Sequence, residues 1–96
     1  IASNFSNHMY SIASRLLSEN GMPFSILDEL IRQTTNKALG TDPERAQTGP
    51  AIRYDQHVLD SQLKLLSIHP EWQELYHLIS QDIQRLNEEP STLPPS

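Results

Sequence analysis

Apolar residues recur along this chain at helical spacing, and no segment alternates apolar and polar positions as strands do. Ile1, Phe5, Met9, Ile12 and Leu16 share one face, which predicts a first helix over about residues 1–19. Asn20-Gly21 stops it, because Gly readily takes the left-handed backbone that ends helices. After the tight Met22-Pro23 connection, a second helix is expected over about residues 25–39, with Leu27, Leu30, Ile31, Thr34 and Ala38 on one face. Gly40 stops it, and Lys37 suits the negative end of its dipole. Asp42-Pro43-Glu44 reads as an N-cap, a Pro at the first helical position and an acid in the first turn. Only a turn or two can follow before Thr48-Gly49-Pro50 breaks it. Asp55 caps a third helix carrying Val58, Leu59, Leu63 and Leu66, which ends near His69. Pro70 opens a fourth, with Trp72, Leu75, Tyr76, Ile79, Ile83 and Leu86 as its apolar stripe.

The pattern predicts an all-α fold of four main helices plus a short helical turn. One helical domain is expected over residues 1–88 and a disordered, Pro-rich tail over residues 89–96. Phe5, Met9, Ile12, Leu16, Leu27, Leu30, Ile31, Leu63, Leu66, Trp72, Leu75, Tyr76, Ile79 and Ile83 are expected to be buried, within the chain or across a dimer.

Composition makes that last alternative matter. Only 36% of the 96 residues are hydrophobic and the mean hydropathy is −0.51, thin for a self-sufficient core. Another chain or domain is therefore expected to cover some apolar surface. The formal net charge of −5 argues against nucleic acid and against an anionic membrane surface as partners. No apolar run approaches a membrane span. Without Cys there can be no disulfide, thiolate chemistry or Cys-based zinc site, which fits a cytoplasmic location. Ile1 is no initiator and no signal pattern follows it, so the chain reads as a fragment opening inside a helix.

Candidate chemistry is sparse. The three glycines, Gly21, Gly40 and Gly49, lie far apart and make no dinucleotide-binding fingerprint. Glu74 and His77 have the Glu-x-x-His spacing of a di-iron bundle, but a second copy is missing, and two exposed polar residues are the simpler account. His8, His57 and His69 have no partner at metal-ligand spacing. The start of the first helix is less ordinary. Ser3, Asn4, Ser6, Asn7, His8, Tyr10 and Ser11 crowd hydrogen-bonding groups there although Asn and Ser are mediocre helix formers, which suits either a ligand or a merely solvated face. The strongest local signal is the loop from Thr48 to Asp55. Gly49 offers a backbone other residues avoid, Pro50 stiffens it, and Arg53 offers a planar fork for a carboxylate or phosphate. On spacing alone, a structural connection with an internally paired Arg53 is the favoured reading of that loop.

In order and spacing, several stretches resemble a known family: Asn4-Phe5-Ser6-Asn7-His8, Gly21-Met22-Pro23, Ala46 through Asp55, Pro70-Glu71, and Leu75-Tyr76 with Leu78-Ile79-Ser80. It is the helical C-terminal domain of unknown function that follows a Rossmann-like NADP-binding domain in bacterial oxidoreductases. The Thr-Gly-Pro-x-x-Arg-x-Asp stretch is the most specific part, and the resemblance extends to about Ile83. It implies a fold similar to the helical domains of phosphogluconate dehydrogenase, ketopantoate reductase and pyrroline-carboxylate reductase. It also implies that Asn4, with Asn7 or His8, borders a substrate cleft supported by Thr48, Gly49 and Arg53. No Lys sits in the Asn-rich stretch, so a Lys-centred hydroxyacid dehydrogenase mechanism does not carry over.

The resemblance therefore implies a substrate-side and dimerisation domain, inactive alone because the dinucleotide-binding domain is absent. No cofactor is expected on this segment, with NADP or NAD held in the full-length protein by the chain's own N-terminal Rossmann domain. A homodimer through the first helix, the second or both, and a small-molecule substrate, complete that expectation. The alternative is a standalone helical protein–protein interaction module whose apolar face binds a partner helix.

Overall fold

A computed structural model describes residues 1–89, and every regular element among them is a helix. The elements are α1 (Asn4–Glu19), a 3₁₀ turn (Phe24–Leu27), α2 (Asp28–Gly40), α3 (Pro43–Ala46), α4 (Gln56–Leu65) and α5 (Pro70–Glu88). Four are long and α3 is a single turn, the all-α arrangement the apolar spacing predicts. The tail expected over residues 89–96 lies, from residue 90 onward, outside the described residues. The chain divides into two compact units, residues 1–40 and the remainder from Thr41.

In the first unit α1 ends as Asn20-Gly21 implies. Gly21 has φ 69°, its N–H donates to the Ser18 carbonyl at 3.1 Å, and the Met22 N–H donates to the Leu17 carbonyl at 2.9 Å. This is the Schellman pattern, which uses carbonyls the helix leaves orphaned. The Asn20 carboxamide satisfies the Leu16 carbonyl at 2.8 Å. The 3₁₀ turn then packs against both α1 and α2, with the Phe24 ring edge-to-face on Tyr10 at 6.3 Å between centroids. A helix from residue 25 was expected. Instead α2 starts at Asp28, because the segment just after Pro23 takes the tighter coil common at helix starts.

The second unit is organised around α5. Asp42 precedes α3, with Pro43 at its first position and Arg45 paired back to Asp42 at 3.1 Å. Asp55 caps α4 by accepting from the Val58 N–H at 3.4 Å. Helices α4 and α5 run antiparallel. Gln73 donates to the Leu63 carbonyl at 2.8 Å, and the Tyr76 hydroxyl bonds to the Gln62 side chain one turn further along α5. Burial pushes the Tyr76 phenol above its ordinary pKa. At the junction, the His69 ring stacks on Trp72 at 4.1 Å.

The core is smaller than the apolar stripes imply. Only Ala51, Leu59 and Leu66 are buried among the described residues, all in the second unit, and just Leu66 belongs to the expected set. Phe5 is 61% exposed, Leu30 59% and Ile79 41%, so within this single chain their predicted burial fails. The physical reason is size: units of forty to fifty residues have too little interior to enclose two faces of each helix.

Candidate functional site

The sequence candidates fall into two groups, one in each unit. Asn4, Asn7 and His8 lie in the first half of α1, and their i, i+3, i+4 spacing puts them on one face beside Ser11. Every residue from Ile1 to Ser11 is exposed. The Asn4 side-chain oxygen accepts from the Phe5 N–H at 3.1 Å, and the Ser11 hydroxyl donates back to the Asn7 carbonyl at 3.3 Å. Among the described residues, the side chains of Asn7 and His8 bond to nothing. A helix whose polar groups sit in water gains little from them, so the cluster is available to an external ligand or subunit.

Thr48, Gly49 and Arg53 lie together in the loop between α3 and α4. Gly49 has φ 105°, a backbone that side-chain-bearing residues avoid, and starts a single turn closed by the Arg53 N–H donating to the Gly49 carbonyl at 3.4 Å. That turn ends in a second Schellman pattern. The Tyr54 N–H donates to the Ala51 carbonyl at 3.1 Å and the Asp55 N–H to the Pro50 carbonyl at 2.9 Å. Here the left-handed position belongs to Tyr54, with φ 54°, the sole non-Gly residue of positive φ among those described. A bulky side chain in that conformation is strained by about 1–2 kcal/mol.

Tyr54 is held there by α5. Its hydroxyl donates to the Glu88 carboxylate at 2.7 Å and lies 3.3 Å from the Gln84 carbonyl. The bond to Glu88 raises the Tyr54 phenol above its ordinary value. Arg53, the preceding residue, is exposed, and its guanidinium has no hydrogen bond or ion pair among the described residues. The expectation of an internally paired Arg53 is thereby corrected. The geometry at this loop is a cation held in solvent by a turn that is stiffened at both ends.

The turn also forms one wall of an apolar groove of about 480 Å³ within the second unit. Ile52 faces Ile79, Ile83 and Leu86 of α5 across it, with Glu44, Arg45 and Asp82 among its charged lining. Neither Tyr54 nor this groove was found by reading residues in order. The partner of Tyr54 is 34 positions away, and the groove needs the loop laid on α5.

Among the described residues no nucleotide cradle is built. Gly21 ends a helix, Gly40 closes α2 and Gly49 starts a turn, and no strand feeds a glycine turn among the described residues. Glu74 and His77 are exposed on α5, and no group of three or more candidate metal ligands forms among the described residues. No described helix is long and apolar enough to cross a membrane.

The family model described as "Domain of unknown function (DUF2520)" matches residues 1–83. A crystal structure from Bacteroides fragilis, described as a "putative NADP oxidoreductase", superposes with a TM-score of 0.85 and 43% sequence identity. The match covers 88% of this chain and 32% of that one, so this chain spans about a third of that protein's length. No curated protein matches it.

Proposed function

We propose, from the premise that this chain belongs to the DUF2520 family, that it is the substrate-side and dimerisation domain of an NAD(P)-dependent oxidoreductase. One observation carries this reading: 43% identity with a TM-score of 0.85 to part of a protein described as an NADP oxidoreductase, about two thirds of which lies outside the match. The nicotinamide cofactor would belong to a separate Rossmann domain, since residues 1–89 build no cradle for its phosphates.

This chain's own contribution is to bind and orient. Arg53 grips a carboxylate or phosphate on the substrate, its fork giving two parallel hydrogen bonds that a Lys cannot reproduce. Thr48 and Gly49 shape the turn behind it, while in the first unit the exposed face of Asn4, Asn7 and His8 is a separate hydrogen-bonding surface for a polar ligand or a second subunit. Dimerisation is assigned to the apolar face of α1, where Phe5 and Met9 are 61% and 37% exposed.

Thermal shift of the full-length protein with NADPH and NADH tests the assignment. Stabilisation by one of them is expected, with none for the 96-residue chain. No stabilisation of the full-length protein by either would sink the oxidoreductase reading. Arg53→Lys should then raise KM with the melting temperature unchanged. A lowered melting temperature at unchanged KM would make Arg53 scaffold.

A further inference from the structure

We propose that the groove between the Ile52 turn and α5 is a docking site for an amphipathic helix with a basic flank, supplied by another polypeptide segment. The floor is set by Ile79, Ile83 and Leu86, whose i, i+4, i+7 spacing makes a stripe about two turns long. That repeat accepts a second helix, whose anchors at the same spacing seat between those of α5. Ile52 closes the far side, and a groove of about 480 Å³ takes a few large side chains, not a whole helix. Only the apolar face of the occupant enters.

Charge selects the occupant. Around the floor, Glu44, Asp82 and Glu89 face a single lining base, Arg45. Arg85 pairs with Asp82 at 2.7 Å and with Glu89 at 2.6 Å, so three acids, Glu44, Asp82 and Glu89, stand against two bases, Arg45 and Arg85, and the rim stays net negative. From Thr41 onward the chain has nine Asp or Glu against four Lys or Arg, whereas residues 1–40 balance three against three. The whole net charge of −5 therefore belongs to the unit that carries the groove. A second copy of that unit would bring the same negative field and be repelled, while a Lys- or Arg-flanked helix would be drawn in. A small apolar ligand fits less well, because Ile79 and Leu86 stay 41% and 45% exposed and such ligands are usually enclosed.

The test titrates the 96-residue chain into two labelled peptides of about 14 residues, long enough to hold some helix in water. Both carry Leu at i, i+4 and i+7; one is flanked by Lys and the other by Glu. Fluorescence anisotropy should show the Lys peptide binding about tenfold more tightly or better. Its affinity should fall when salt rises from about 0.1 M to about 1 M, which shortens the reach of charge about threefold. Leu86→Glu, at an exposed position, should abolish binding with the helical circular dichroism intact. Should that variant lose its helices, Ile79→Glu makes the same test. Equal affinity for the two peptides, no binding, or binding indifferent to both substitutions overturns the proposal. So does light scattering in which Leu86→Glu merely turns a dimer into a monomer, since the groove's occupant would then be a second copy.

Discussion

The same hydrogen-bond pattern closes α1 in the first unit and the Pro50–Arg53 turn in the second, yet the two ends are built from opposite residues. Gly21 occupies the left-handed position in one and Tyr54 in the other. A glycine there costs the folded state nothing in sterics, and nothing lies within 4 Å of where its Cβ would be. A tyrosine is strained, and what holds it is a phenol bonded to Glu88 of α5. The first end is a local stop that needs no other element. The second exists only because two elements are tied together, as expected of a turn positioned for a purpose. The units differ likewise in burial, since all three buried residues lie in the second.

The sharpest way to break this contrast is to empty the core of the second unit. Leu59 is 5% exposed, and Leu59→Ala should cost about 2–4 kcal/mol, read from chemical denaturation. Phe5→Ala, at a 61% exposed position, should stay within about 0.5 kcal/mol in a monomer. A larger, concentration-dependent loss at Phe5 would instead show a second copy covering α1. Equal losses at both sites would erase the difference in burial altogether.

A smaller effect is expected at Gly21. Gly21→Ala meets no neighbour, so its cost is the left-handed backbone alone, about 1 kcal/mol, seen as a lower denaturation midpoint. Smaller again is Asp55→Ala. The cap bond to Val58 is long at 3.4 Å, so about 0.5–1 kcal/mol should go with it. A cost near 2 kcal/mol there would mean that Asp55 also holds the turn before it.

Local features were legible in the sequence wherever a residue acts on its own neighbours. Gly21 as a stop, Asp55 as a cap and Pro43 and Pro70 at first helical positions all follow from side-chain chemistry within four residues. The 3₁₀ turn after Pro23 was not legible, because its apolar spacing continues that of α2. Burial was misjudged for a different reason: periodicity identifies an apolar face but not what covers it. Ala51 and Leu59, missing from the expected core, are enclosed by the way the loop and α4 meet α5. At the candidate site, Arg53 and Gly49 were visible as residue types. Tyr54 was not, since nothing near it in sequence announces Glu88.

The finest test concerns the Tyr54 tie and its dependence on pH. Bonding to Glu88 raises the Tyr54 pKa above 10.0 in the folded chain, while in the unfolded chain the phenol titrates near that ordinary value. A raised pKa means that the protonated phenol is favoured by folding. Its contribution is therefore fully present below pH 10 and is lost as pH rises through the folded value. The sign agrees with the geometry, because a tyrosinate has no proton to give a carboxylate and would repel it. Tyr54→Phe keeps the ring and the strained backbone and removes only the hydroxyl. Its stability deficit against the parent chain should be constant from neutral pH to about pH 9 and shrink above pH 10 as the parent loses the same bond. Tyrosinate absorbance should lose one of the late-titrating steps in the variant, leaving that of Tyr76, which burial raises. A deficit that stays flat through the alkaline range would show that the hydroxyl's bond to Glu88 does not hold the turn. The strain at Tyr54 would then have to be offset by packing of its ring alone.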